Sequence, residues 1–193
     1  MKSIALRVAL LTLSGVLFAP RAEAQCPTSW TYWNPSVYYP NLGSTGNGHC
    51  YSFTASPSDW LTAEATANTF GAHLASVLDQ TEASFLYNNF QDPSHPSFFI
   101  GLTDATTEGT YAWTTGEPVN YTKWWFGQPD NAGNQDYSEF TGGYWYDISQ
   151  ETVEYGVMEL DPSATTSTPE PAAVLLVATG LLGILAVRRR SAA

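Results

Sequence analysis

Between positions 124 and 147 the sequence gathers the oxygen-bearing side chains that hard cations favour. Trp124-Trp125-Phe126-Gly127-Gln128-Pro129-Asp130-Asn131 sets an amide and a carboxylate on either side of a proline, and Gln135, Asp136, Glu139 and Asp147 follow. A hard ion such as calcium takes roughly six to eight oxygens from carboxylates, amides and backbone carbonyls. A short loop followed by a strand can bring such oxygens together, and a cis X-Pro bond would turn both flanking side chains to one side. The same composition also suits a plain polar surface loop, because Gly, Pro, Asn and Asp are turn residues. His49, His73 and His95 are scattered, and no His/Cys metal cluster, nucleophile elbow or glycine-rich phosphate loop is present. Glycoside hydrolysis needs two facing carboxylates, and no spacing selects such a pair, so the chain reads as a non-enzyme.

The elements that must position these residues fall in an α+β order, two helices before a long looped β region. Ser58 is placed to cap a helix from Asp59 to Phe70. Trp60, Ala63, Ala67 and Phe70 recur on it at helical spacing, and Gly71 ends it. Asp79 followed by Glu82 reads as the capping box of a second helix, which runs to about Asn89 and turns Phe85, Leu86 and Phe90 to the core. After Pro96, short aromatic strands alternate with loops rich in Gly, Thr and Asn. Trp30, Tyr32, Trp33, Tyr38 and Tyr39 read as hairpin packing in preference to a sugar-stacking platform, and Asn47-Gly48 suits a tight turn.

The two ends read as addresses. Residues 1–24 carry Lys2 and Arg7, an apolar run from Val8 to Phe18 and a small-x-small ending at Ala22-Glu23-Ala24, the pattern of a secretory signal peptide. Gln25 before Cys26 argues against a lipid anchor there. Residues 25–161 form one domain and the Ser/Thr-rich stretch 162–168 a linker. Residues 169–193 hold Pro169-Glu170-Pro171, the uncharged stretch 172–187 and Arg188-Arg189-Arg190. As a helix that stretch reaches about 24 Å, a little short of a bilayer core of roughly 30 Å. The arginines favour a cytoplasmic end. Pro-Glu-Pro, apolar helix and basic cluster in this order resemble the PEP-CTERM sorting signal of bacterial envelope proteins. That resemblance implies processing by an exosortase, with the protein membrane-anchored until then and afterwards in the envelope or outside the cell.

Charge narrows the partners. Lys123 is the only Lys or Arg between residues 25 and 168. Of the 18 acids only Glu23 and Glu170 lie outside that span, which leaves 16 and a net charge of −15. Nucleic acid binding needs a basic surface and is excluded on this ground. Cys26 and Cys50 are the only cysteines, and in an exported chain a disulfide is the default.

Several spaced motifs then resemble one family. Phe99-Ile100-Gly101-Leu102, Glu108 to Trp113, Gly116-Glu117-Pro118-Val119, Gly127-Gln128-Pro129-Asp130 and Trp145-Tyr146-Asp147 resemble the second half of a C-type lectin domain. Trp60, Ala63 and Gly71-Ala72-His73-Leu74-Ala75-Ser76-Val77 resemble its first helix and following strand. The resemblance spans about Cys26 to Leu160 and implies a C-type lectin-like fold with small antiparallel sheets and a long loop region. Cys26 and Cys50 would be the extra disulfide of the family's long form. Both core disulfides are missing, with Ala67, Met158, Tyr137 and Gln150 at or near their positions, and packing of Ala67 and Met158 is expected to replace one.

The implied site is a calcium ion whose shell admits two vicinal sugar hydroxyls. The Gln-Pro-Asp order goes with galactose-type sugars, because exchanging amide and carboxylate exchanges donors and acceptors around the ion. By resemblance Gln128 and Asp130 would hold both ion and sugar, and Asp147 the ion. The sequence also departs from the family. The further glutamate falls at Gln135, and a one-residue shift would let Asp136 serve as a metal ligand instead. Tyr146 stands where an asparagine would give an amide oxygen. No tryptophan follows the tripeptide, which leaves Trp124, Trp125 or Trp145 to stack on a sugar, Trp145 reading as core. Glu117-Pro118-Val119 mimics the tripeptide but lies too early. The implied function is an exported protein that binds a glycan or exopolysaccharide. The alternative on the same fold is a calcium-independent protein-interaction or extracellular-matrix module.

Overall fold

From Ser97 to Thr103 the chain is apolar on both of its alternating faces, the pattern of a strand buried centrally. The computed structural model describes residues 26–163. In chain order these form β1 (Thr31–Tyr32), β2 (Tyr38–Tyr39), β3 (Ser44–Thr45), β4 (Cys50–Phe53), α1 (Trp60–Thr69), β5 (His73–Leu74), α2 (Gln80–Phe90), β6 (Ser97–Thr103), β7 (Ala112–Trp113), β8 (Tyr137–Thr141), β9 (Tyr144–Ile148) and β10 (Val157–Leu160). The α+β expectation is met. One antiparallel sheet has the order β1-β4-β10-β5, a second β7-β6-β8-β9, and β2 pairs with β3 alone. The expected signal peptide, the Pro169-Glu170-Pro171 motif and the helix 172–187 lie outside the described residues. Among the described residues no helix is long and apolar enough to cross a membrane.

β6 sits between β7 and β8 and divides the core. Phe98, Ile100 and Leu102 join Trp33, Val77, Phe85, Leu86, Phe90, Trp113, Phe140 and Trp145. Phe99, on the other face, joins Trp60, Ala63, Leu74, Tyr137 and Ile148 under α1. The Trp60 indole ties that helix down by donating to the Ile100 carbonyl at 2.9 Å. Gly101 is needed where the two sheets meet, since a Cβ there would lie 2.4 Å from the Leu74 carbonyl oxygen.

The helix caps differ from the sequence reading. Asp59, not Ser58, caps α1, accepting from the Thr62 N–H at 2.9 Å. The Ser58 hydroxyl donates to the Asp59 carbonyl instead. α1 ends one residue early, and Phe70 is exposed and packs against Trp30, with ring centroids 5.7 Å apart. Gly71 at φ +70° closes the helix, with the Ala72 N–H reaching back to the Ala67 carbonyl at 3.1 Å, the Schellman arrangement. Asp79 caps α2 as expected, accepting from the Glu82 N–H at 2.8 Å. Glu82 completes only half a capping box, because its carboxyl takes the Leu78 N–H at 2.8 Å and turns inward.

Cys26 and Cys50 are bridged, with Cα atoms 5.6 Å apart. Ala67 and Met158 pack together with Cys50, Ala72 and Leu160, so apolar contact does stand where the family's bridge is missing. Trp33 is buried and stacks on Phe85 at 4.6 Å, which is hairpin packing. Tyr32 and Tyr38 are exposed.

Carboxyls are buried beside one another in two places. The Tyr51 hydroxyl lies 2.6 Å from Glu82 Oε1 and 2.8 Å from Glu159 Oε1, and Asn47 Nδ2 donates to the same phenol oxygen at 2.6 Å. A phenol has one hydrogen, so the second carboxyl contact needs a proton on a carboxyl. Burial first, and then the Glu159 charge, pushes Glu82 up to about 8. Burial opposes protonation of His49, but the bond to Glu159 (2.6 Å) and its charge leave the imidazole raised overall. In the second place, burial and then the facing Glu154 push Glu139 up to about 8, and burial raises Glu154.

All four shifts have the same sign. Glu82 and Glu139 bind protons in the folded protein up to about pH 8 and in the unfolded chain only to about 4.5. Their contribution is fully present below about pH 4.5 and is lost as pH rises through 8; that of His49 is full below 6.5 and lost above its raised value. The melting temperature is therefore expected to fall from pH 5 to about pH 8 and then to level off. Glu82 alone would contribute a slope of up to about 1.4 kcal/mol per pH unit between its two pKa values, and Glu82→Gln should flatten the curve. Circular dichroism melts in a pH series check this, and a melting temperature constant over that range contradicts it. Replacing both cysteines by serine should lower stability by about 2–5 kcal/mol, measured by urea titration.

Candidate functional site

The long loop between β7 and β8, residues 114–136, is held to the domain by Trp145. This side chain is fully buried. Trp113, Tyr121 and Trp124 meet it edge-on, with centroids 5.5, 5.7 and 5.7 Å away. Its backbone binds the loop as well. Trp125 N–H donates to the Trp145 carbonyl at 3.0 Å, and Trp145 N–H donates to the Lys123 carbonyl at 2.9 Å. Residues 123–125 thus run parallel to β9. Because side chains alternate along a strand, Trp145 and Asp147 point inward while Tyr144 and Tyr146 point out.

Asp147 is buried and organises the tripeptide. Its two carboxylate oxygens accept the backbone N–H groups of Asp130 (3.2 Å) and Asn131 (2.6 Å). The Gln128 amide oxygen lies 3.4 Å from the Asp147 N–H, and the Gln128–Pro129 peptide is cis. Gln128, Asp130 and Asp147 are thereby brought together. Asp136 is not joined to them by any hydrogen bond. Its carboxylate takes the Asn134 amide at 3.0 Å, and its carbonyl accepts from Thr103 Oγ1 and Asp104 N–H on the far side of the loop.

Asp104 escaped the sequence reading, which named Asn131 and Gln135 without the loop-closing bonds they make. Asn131, at φ +48°, donates through Nδ2 to Glu108 Oε1 at 2.6 Å and accepts the Gln135 N–H on Oδ1 at 2.7 Å. Asp104 is buried, with Oδ2 accepting the Gly109 N–H at 2.8 Å and Oδ1 lacking a hydrogen-bond partner. The signal was present in the Asp104-to-Glu108 spacing within a turn-rich loop. Gln135 is engaged too: Oε1 accepts the Ala132 N–H at 2.7 Å and Nε2 donates to the Asp147 carbonyl at 2.9 Å.

Calcium fits the chemistry of Gln128, Asp130 and Asp147, which offer hard oxygens only. They supply two carboxylates and one amide. Among the described residues no group of three or more His, Cys, Asp or Glu side chains could hold a metal ion. His49 and His73 are spent on Glu159 and Glu64, each at 2.6 Å. Glu117 accepts from Thr115 Oγ1 at 2.9 Å.

Comparison with known proteins agrees with this architecture. The model of the lectin C-type domain matches residues 56–157, and that of the PEP-CTERM protein-sorting motif matches residues 167–190. Echinoidin of Heliocidaris crassispina is 31% identical over 141 residues, covering 64% of this chain and 87% of echinoidin. CD209 antigen-like protein D of Mus musculus is 26% identical over 146 residues, and this chain spans 55% of it. Among solved structures, the C-type lectin CEL-I of Cucumaria echinata superposes with a TM-score of 0.61 at 31% identity, over 71% of this chain and 98% of CEL-I. The carbohydrate-recognition domain of the mouse scavenger receptor C-type lectin superposes at 0.60 over 75% of this chain and all of that domain; at 23% identity it speaks for the fold. The chain belongs to the C-type lectin domain family, whose members here are lectins rather than enzymes, and it carries a PEP-CTERM sorting motif.

Proposed function

We propose that the domain, residues 25–161, binds galactose-type sugars of an envelope glycan or exopolysaccharide through a calcium ion held by Gln128, Asp130 and Asp147. The observation that supports this most is the Asp147 carboxylate, which draws the backbone of Asp130 and Asn131 onto β9 beside the Gln128 amide oxygen. When bound, the ion supplies a hard positive centre for two vicinal hydroxyls. The Gln128 amide donates to one hydroxyl and the Asp130 carboxylate accepts from the other. Asp136 is an auxiliary ligand in this reading. The sorting motif supports export to a bacterial envelope, anchoring through 172–187, and processing by an exosortase.

A second reading rests on Gln135. With Gln135 bridging Ala132 N–H to the Asp147 carbonyl, the loop satisfies its own polar groups and holds its shape with no ion. That favours a calcium-independent protein-interaction or matrix module on the same fold.

A calorimetric calcium titration of the protein separates the two. Saturable binding that Asp130→Ala abolishes is the expected result, together with loss of calcium-dependent retention on immobilised galactose. No heat up to millimolar calcium would leave the second reading. Asp147→Ala should also destabilise the fold by about 1–3 kcal/mol, because two backbone N–H groups lose their acceptor; urea unfolding measures it.

A further inference from the structure

A group of aromatic rings, with Trp125, Phe126 and Tyr144 exposed and Tyr146 half-buried, lies outside the loop's polar site. Lys123 and Trp125 on the parallel segment, and Tyr144 and Tyr146 on β9, point to the same outward face. The rings touch. Trp125 meets Tyr144 edge-on, at 4.8 Å and 74°, and lies within 18° of parallel to Tyr146 at 6.3 Å. Lys123 Nζ stands 5.6 Å from the Tyr144 ring centre. Trp125 is 45% exposed and Tyr144 38%, so their faces are not spent on the core. The group ends at Phe126, 96% exposed on a tight turn closed by Gln128 N–H to the Trp125 carbonyl at 2.9 Å, with Gly127 at φ +89°. A phenylalanine at a turn tip gains nothing from the fold, and contiguous apolar surface of this kind marks a binding site.

The flanks of this face are polar. Lys123 stands on one side. On the other, Glu139 lies opposite Tyr146 across the β8–β9 ladder, backed by Glu154 and Ser97, whose hydroxyl donates to Glu154. Burial and the facing Glu154 raise the Glu139 carboxyl, so this flank carries less negative charge than its two carboxylates would suggest. A stepped set of exposed aromatic rings beside a lysine matches a chain of pyranose rings, whose C–H faces pack on successive aromatic faces and whose hydroxyls reach outward. An anionic chain would meet a domain with one lysine against 16 acids.

We propose that the outward face of β9 and residues 123–125 is a second glycan platform, on which a neutral polysaccharide lies across Trp125, Tyr144 and Tyr146 and reaches Phe126 beside Gln128. The proposal rests on the carbohydrate-binding reading and needs no metal ion. It extends recognition from a single sugar at the tripeptide to several consecutive sugars of one chain.

Affinity electrophoresis of the full-length protein in mild detergent tests this, in gels holding neutral galactan or, as an anionic control, alginate, each with calcium and with EDTA. Galactan is expected to retard the protein in both conditions and alginate in neither. Trp125→Ala and Phe126→Ala should each weaken the retardation seen in EDTA by about tenfold. Asp130→Ala should remove only the calcium-dependent part. Galactan retardation that vanishes wholly in EDTA would overturn the platform while leaving the ion site standing. Retardation in EDTA that neither aromatic variant changes would overturn it as well. So would a dimer, seen by sedimentation, that Trp125→Ala dissolves, since the face would then belong to a second copy. Phe126 is 96% exposed, so its removal keeps the fold and the test readable.

Discussion

The functional half of this domain depends on the packing of Trp145. A loop of more than twenty residues without regular structure is costly to order. Here one indole takes three aromatic side chains of the β7 end and the loop edge-on, and its backbone adds two hydrogen bonds to the loop. That contact places residues 123–125 beside β9 in parallel register. The strand's alternation then does the rest. Inward, two residues on from Trp145, Asp147 collects the tripeptide; outward, Tyr144 and Tyr146 meet Trp125. The polar site and the aromatic face are two sides of the same strand, and both would shift together if Trp145 lost its seat.

What the sequence showed and what it hid follow from how local each feature is. The two helices were legible because caps and helical spacing are local, and the errors were local as well. Asp59 outcompetes Ser58 because the carboxylate takes both the Thr62 N–H and its hydroxyl. Phe70 fits the helical spacing but sits at the C-cap, where the chain is already turning, and it packs on Trp30 instead of the core. Glu82 looked like a cap residue, but its environment is set by Tyr51 and Glu159, 31 and 77 positions away in the chain. The tripeptide was legible as a motif. The hold on the Asp136 carbonyl by Thr103 and Asp104 was not, because it forms across the β6–β8 irregularity.

The positions that the resemblance assigns to missing core disulfides carry two different kinds of contact. Where Ala67 and Met158 stand, the gap is filled by apolar contact in a cluster that includes Cys50, so the existing bridge and the substitute share one small core. At Tyr137 the residue became a packing residue, its ring 4.7 Å from Trp60. This ties β8 to α1 but adds no bond to the loop that follows Gly127. The loop's closure falls to hydrogen bonds among Asn131, Gln135 and Asp147.

That substitution bears on what a ligand would meet. Each of those hydrogen bonds occupies an oxygen or N–H that an ion or sugar would otherwise address: both Asp147 oxygens face backbone N–H groups, and Gln135 Oε1 faces Ala132. An ion at Gln128, Asp130 and Asp147 would have to share Asp147 with the backbone, so its hold on the loop competes with an order the loop already has. The aromatic face carries no such competition, since its rings are held by the strand and Phe126 is left free at the turn. Stacking on a preformed surface costs little ordering on binding, so the aromatic face and the polar loop differ in what a ligand must displace.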